Sequence, residues 1–195
     1  MITLKEIRDN EPCEDSWTKL LKSFNKTKAD DTVVTCEYLL DTLDVDDTLW
    51  VISNCIGGKR VKKRHMVADI AKRVLHFWED WAKDNAPDHL NAPRKAVEAV
   101  RSGKVDDEIL RAALAAATDV SPSARNAATD VSTSARNVYN AYWAASAAGA
   151  AGAAGALAAR HAAWAARHAA WAASAAAADA EQEEQKKIIL KYFGE

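Results

Sequence analysis

The residues most able to do chemistry in this sequence are three cysteines and a few histidines. The cysteines stand 23 and 19 residues apart, at Cys13, Cys36 and Cys55, and so form neither a CxxC pair nor a metal-ligand set. Cys55 with a histidine would offer the thiol and base of a hydrolase; the candidates are His65, His76 and His89. No HExxH motif or nucleophile elbow accompanies them. The sequence therefore predicts no catalytic, cofactor-binding or metal-binding residues.

Four aspartates lie close together at Asp41, Asp44, Asp46 and Asp47. The cluster is as acidic as a calcium-binding loop, but it lacks the central glycine and the terminal glutamate of such a loop. Short acidic residues also favour helix N-termini. We therefore expect a capped turn between two helices.

A basic run occupies residues 59–65, with its cations at Lys59, Arg60, Lys62, Lys63 and Arg64. Such a run is able to bind phosphate or an acidic protein surface. The alternative is a solvated helix start, although cations at a helix N-terminus oppose the helix dipole. No aromatic residues interleave with the cations, so binding to nucleic acid is disfavoured.

Two further cations, Arg160 and Arg167, lie within one helical turn of Trp164 and Trp171. One interpretation is a cation–π ladder presented to a partner. The other is a buried tryptophan seam whose flanking arginines mark its boundary with solvent, and we favour this second interpretation. The seven cations named so far are the candidate partner-binding residues.

Charge is unevenly distributed along the chain. Residues 1–58 carry a net −6, residues 59–104 a net +6, and residues 105–195 a net −2. Sparse cysteines are typical of reduced thiols in a cytosol. The N-terminus lacks a signal-peptide apolar region, and no stretch is apolar enough to cross a membrane. We expect a cytoplasmic protein that binds no membrane.

Helix signals recur through residues 1–117, which we interpret as a compact helical domain. Pro12 with Glu14 opens one helix, Asp30 and Asp31 precede a second, and Asp46 and Asp47 cap a third. Val33–Thr35 could instead start a strand, but no partner strand is visible. A long helix is predicted over residues 61–84 and a short one over residues 94–101, ending at Ser102-Gly103.

Residues 118–195 form a second segment with a different composition. TDVSPSARNAA is followed at once by TDVSTSARNVY, and 25 of the 40 residues from 141 to 180 are alanine. Alanine favours helix, so we expect long helices packed as a hairpin or bundle, with a bend near Gly149–Gly155. Trp143, Leu157, Trp164 and Trp171 share one seven-residue phase. The end, residues 181–193, is amphipathic and is expected to dock on the core. The predicted fold class is all-α.

Several segments carry a resemblance to known proteins. The runs EIRDNEPCEDSWTKLLKSFNKTKADD and DDTLW resemble the N-terminal signature of phage and prophage accessory proteins, and MVADIAKRVLHF, VRSGKVDDEILRAALAAA and AEQEEQKKIIL resemble later parts of that group. The middle and C-terminal parts are also similar to Ala-rich putative immunity proteins of bacterial toxin systems. The resemblance implies a helical, non-enzymatic protein of phage–bacterium conflict.

Three hypotheses follow for the function. The first is an inhibitor that binds a bacterial defence complex, an anti-CRISPR-like role with a host protein as partner. The second is an immunity protein that binds a cognate toxin, or an interaction module of a phage. The third is a cryptic enzyme that uses a cysteine or a histidine.

Overall fold

The computed structural model describes residues 1–85, 87–104 and 175–194. Within these ranges the chain forms eight α-helices and one two-stranded sheet, and 73% of the residues are helical. The elements are β1 Ile2–Thr3, α1 Leu4–Asp9, α2 Glu14–Ser23, β2 Val33–Val34, α3 Cys36–Thr42, α4 Val45–Cys55, α5 Arg60–Lys72, α6 Leu75–Asn85, a 3-10 turn Pro87–His89, α7 Ala92–Ser102 and α8 Ala175–Phe193. The predicted all-α class is confirmed.

The small sheet pairs the N-terminus with the chain before α3. β1 and β2 run antiparallel, with Ile2 opposite Val34 and Thr3 opposite Val33. The expectation that residues 33–35 have no partner strand was wrong, because the first residues of the chain supply one. Thr3 then caps α1 in a reciprocal capping box with Glu6. This first helix was not predicted from the sequence.

Helices α2, α3 and α4 follow the predicted order with shifted starts. In α2 the predicted apolar face is buried at Trp17, Leu20 and Leu21. The second helix begins only at Cys36, after its cap Thr35, because Val33 and Val34 belong to the sheet. The third is capped by Asp44 and not by the predicted Asp46 and Asp47, which lie in its first turn. The Asp44 carboxylate accepts a 2.8 Å hydrogen bond from the Asp47 backbone N–H. The acidic cluster is thus the capped turn expected from the sequence.

The single helix predicted over residues 61–84 is two helices, α5 and α6, with a break at residues 73–74. At the break, the backbone N–H groups of Arg73 and Val74 reach back only three residues, to Ile70 and Ala71. The His76 ring Nδ1 lies 3.0 Å from the Arg73 carbonyl oxygen. The backbone groups at the break therefore form short-range hydrogen bonds. Neither proline nor glycine causes the break.

Helix α5 lies in the core, and α7 and α8 pack against it. α7 ends as predicted, with Gly103 in the left-handed region at φ 75°. α8 runs antiparallel to α5, because Glu181 contacts Arg73 whereas Phe193 approaches Lys59. Its residues Ile189 and Phe193 are buried in the core. The predicted docking of the C-terminal end is confirmed.

Several predictions fall outside the described residues. They are the division between residues 117 and 118, the eleven-residue repeat, the glycine bend, the tryptophan seam, and Arg160 and Arg167.

α8 belongs to the same hydrophobic core as the N-terminal helices. None of the helices described is long and apolar enough to cross a membrane.

Candidate protein-binding surface

Three cations of the basic run project from the start of α5. Lys59 is the N-cap residue, and Arg60 and Lys62 lie in the first helical turn. All three are exposed, and Val61 between them is 54% exposed. We call Lys59, Arg60, Val61 and Lys62 the basic face.

The backbone of the basic face adds to its positive potential. No side chain caps the N-terminus of α5, and its first turn contains no acidic residue. The free N–H groups and the positive end of the helix dipole therefore reinforce the cations. Gly58 precedes the helix at φ 74°, a conformation suited to glycine. An acceptor such as a carboxylate of a partner is electrostatically complementary to this helix start.

The rest of the basic run contacts neighbouring parts of the protein. Lys63 Nζ donates a 2.9 Å hydrogen bond to the carbonyl oxygen of Ser53, and desolvation lowers the Lys63 pKa below its ordinary value. The Arg64 guanidinium lies against Gly103, where a Cβ atom would collide with it. Lys63 and Arg64 thus help to hold α5 against α4 and the end of α7. The five candidate residues therefore lie together at the start of α5, but only the three of the basic face are exposed to solvent. The other two contact neighbouring helices.

Asp69 fixes the helices that support the basic face. Its carboxylate accepts hydrogen bonds from Lys191 Nζ at 2.9 Å and from Tyr192 Oη at 2.7 Å, and it also pairs with Arg101. Burial alone would raise the pKa of Asp69, but the hydrogen bonds from Tyr192 and Lys191 and the charge of Arg101 lower it below its ordinary value. One carboxylate on α5 therefore ties both α7 and α8 to it.

Further ion pairs extend this framework. Arg73 Nε lies 2.9 Å from Glu181 Oε2 on α8, and its Nη1 lies 3.3 Å from Glu184. Arg94 on α7 binds Glu79 on α6 with two hydrogen bonds of 2.6 and 2.8 Å. A bidentate arginine–carboxylate pair fixes orientation as well as distance. The Arg73 pairs thus hold α8 along the end of α5, and the Arg94 pair holds α7 against α6.

The cysteines and histidines considered as catalytic groups occupy unrelated environments. Cys36 is buried, and burial raises its pKa. Burial also raises the pKa of Cys55 to about 11, so its thiol stays protonated near neutral pH. His65 contacts the backbone oxygen of Arg101 at 3.0 Å. Within the described ranges, no group of three His, Cys, Asp or Glu residues is placed to hold a metal ion.

A pocket that was not predicted from the sequence lies between α2 and α4. Cys13 and Ser16 line it together with Trp17, Asp47 and Trp50, and its volume is about 80 Å3. Ser16 Oγ donates a hydrogen bond to Asp47, 31 residues further along the chain. Ser16 in the first turn of α2 and Asp47 in the first turn of α4 carried no signal that they would meet. We call this site the acidic pocket.

Arg160 and Arg167, the other two candidate residues, lie outside the part of the chain that the structure describes. In comparisons with protein-family models, with curated proteins and with solved structures, the chain matches none.

Proposed function

We propose that this protein is a non-enzymatic, phage-encoded inhibitor that binds an acidic surface of a bacterial defence complex through its basic face. The observation that carries the proposal is the set of three exposed cations on an uncapped helix start. Cations at that position are unfavourable for the helix. A binding role accounts for their presence, because a partner carboxylate would interact with both the side chains and the N–H groups.

The surroundings of the basic face support a rigid docking surface. Asp69 and Arg73 fasten α8 along α5, with ion-pair distances near 2.9 Å. A surface held in one conformation loses little conformational entropy on binding. The exposed Val61 adds an apolar contact among the charges. Charged rims with apolar contacts are typical of protein–protein interfaces.

The phage origin and the anti-CRISPR-like target rest on the resemblance of the N-terminal segments to phage accessory proteins. The alternative, an immunity protein, rests on the resemblance of the middle and C-terminal parts to Ala-rich immunity proteins. Both functions use stoichiometric binding to a protein. The identity of the partner therefore separates them: subunits of a defence complex support inhibition, whereas a toxin supports immunity.

Quantitative affinity capture from bacterial lysate tests the proposal. The parent protein is compared as bait with the triple variant Lys59→Glu/Arg60→Glu/Lys62→Glu, and captured proteins are measured by mass spectrometry. We expect a defence-complex subunit to be captured by the parent and depleted at least about tenfold with the variant, since like charges at an interface repel.

A matched control places the same charge change elsewhere. Lys5, Lys19 and Lys22 are exposed lysines of the N-terminal region, and their combined replacement with Glu alters the net charge equally. This control variant should capture the partner nearly as well as the parent at physiological salt. Equal depletion with both variants would show that net charge, rather than the basic face, governs binding.

A further inference from the structure

The acidic pocket has the dimensions of a site for one side chain. Its apolar walls come from α2, α4 and the C-cap residue of α3, chiefly Trp17, Leu20, Leu43, Trp50 and Val51. Its volume of about 80 Å3 is about half that of a 150 Å3 cavity known to bind benzene. Cys13 lines the pocket and is exposed, so the site reaches solvent. It has room for the aliphatic stem of a side chain rather than for a cofactor.

A chain of hydrogen bonds holds one carboxylate in the pocket wall. Cys13 Sγ donates to Ser16 Oγ at 3.0 Å, and Ser16 Oγ donates to Asp47 Oδ2. The second oxygen, Asp47 Oδ1, has no hydrogen-bond donor among the residues that the structure describes. Asp47 therefore keeps one acceptor oxygen for a ligand while the other fixes its orientation.

The segments around the pocket are strongly acidic. The hydrogen bond from Ser16 to Asp47 brings two segments together, residues 9–15 and residues 44–47. These segments contain seven Asp or Glu and no Lys or Arg. Such a concentration of carboxylates beside an apolar wall is complementary to a ligand with an aliphatic stem and a cationic head.

The protein itself places one guanidinium on this surface. The guanidinium carbon of Arg8 lies 5.7 Å from the ring centre of Trp17, and Arg8 Nη1 lies 3.9 Å from Glu14 Oε2. Arginine stacks on aromatic rings and pairs with carboxylates through a planar group, whereas lysine offers a strongly hydrated point charge. Trp50 and Asp47 offer the same pair of contacts within the pocket, and Trp50 is only half-buried.

We propose that the acidic pocket binds an arginine side chain of a partner protein. The stem lies against Trp50, and the guanidinium donates hydrogen bonds to Asp47. The site has the opposite charge to the basic face, and its existence does not depend on the function proposed above. A partner that used both surfaces would carry an acidic patch and a protruding arginine.

Titration of the full-length protein with N-acetyl-arginine methylamide, followed by NMR, tests the proposal. The indole N–H signals of Trp17 and Trp50 report on the pocket, and single Trp→Phe variants assign them. N-acetyl-citrulline methylamide is the matched control ligand, because it has a similar shape but no charge. We expect the arginine compound to shift both indole signals with millimolar affinity and the citrulline compound to bind at least about tenfold more weakly.

Asp47→Asn should weaken binding of the arginine compound about tenfold, whereas Asp80→Asn, which removes an exposed carboxylate of α6, should leave it unchanged. Protection of the parent Cys13 thiol from Ellman's reagent by the arginine compound gives a second readout that needs no variant. Equal binding of the citrulline compound, tighter binding of N-acetyl-lysine methylamide, or shifts confined to other tryptophans would overturn the proposal.

Discussion

Replacing the cations in the first turn of α5 with glutamate should stabilise the protein against unfolding. Arg60 and Lys62 lie where the positive end of the helix dipole meets no acidic residue. An acidic residue in the first turn of a helix contributes about 0.3–1 kcal/mol. The double variant Arg60→Glu/Lys62→Glu should therefore gain about 0.6–2 kcal/mol. Lys59 is left unchanged because it also lies 6.0 Å from the Phe193 ring, a contact that stabilises α8.

Urea unfolding followed by circular dichroism measures this gain. For a chain of this size, each 1 kcal/mol raises the melting temperature by about 2–4 °C, so the double variant should melt about 1–8 °C higher. The gain should shrink at high salt, since exposed charges are screened.

The matched control is Lys72→Glu, the same type of substitution in the last turn of the same helix. There the dipole favours a cation, so this variant should lose stability. A less stable Arg60→Glu/Lys62→Glu protein, or a more stable Lys72→Glu protein, would contradict the electrostatic description of α5.

Three other predictions concern Asp69, Ile189 and the cysteines. Asp69→Asn should lower the free energy of unfolding by about 1–3 kcal/mol in urea denaturation, because a partly buried carboxylate with several donors is lost. The folded state lowers the Asp69 pKa. The contribution of Asp69 to the free energy of unfolding is therefore complete above the unfolded pKa, near 4, and disappears as pH falls through the folded pKa. A difference in free energy of unfolding between parent and variant that stayed unchanged down to pH 2 would oppose this. Ile189→Ala should cost about 2–5 kcal/mol by leaving a cavity under α8; a cost below about 1 kcal/mol would contradict the docking of α8. In native protein, Ellman's reagent should react first with Cys13, which is exposed, and slowly with Cys36 and Cys55, whose pKa values burial raises; equal rates would contradict their burial.

The parts of the fold that could be predicted from sequence are those with local signals. Pro12 and the acidic residues after it mark the start of α2, and Gly103 marks the end of α7. The strand pairing could not be predicted, because β1 and β2 have two residues each and lie 30 residues apart. Such short strands show no alternating pattern. Their pairing depends on the packing of the helices around them.

The break between α5 and α6 also has no local signal. Residues 70–78 contain neither proline nor glycine, and their apolar spacing suits one continuous helix. The contacts on either side of the break are distant in sequence: Arg73 pairs with Glu181, and Trp78 Nε1 donates to the Leu90 carbonyl oxygen at 2.9 Å. Tertiary contacts of this kind are not visible in a single sequence.

In the candidate site too, only the features with a local sequence signal could be predicted. Composition identified the basic run, but it could not separate the exposed Arg60 and Lys62 from Lys63, which donates to Ser53. That separation depends on how α4 packs against α5. The acidic pocket could not be predicted from the sequence because Ser16 and Asp47 meet only in the folded protein.

The rate of association with the captured partner, measured at two salt concentrations, tests the proposed function most directly. The parent protein should associate about tenfold faster or more than the Lys59→Glu/Arg60→Glu/Lys62→Glu variant near 0.05 M salt, and the difference should narrow near 0.5 M salt, as electrostatic steering requires. The Lys5→Glu/Lys19→Glu/Lys22→Glu control should remain close to the parent. Equal association rates for parent and basic-face variant at low salt would contradict the proposal that the basic face meets an acidic partner.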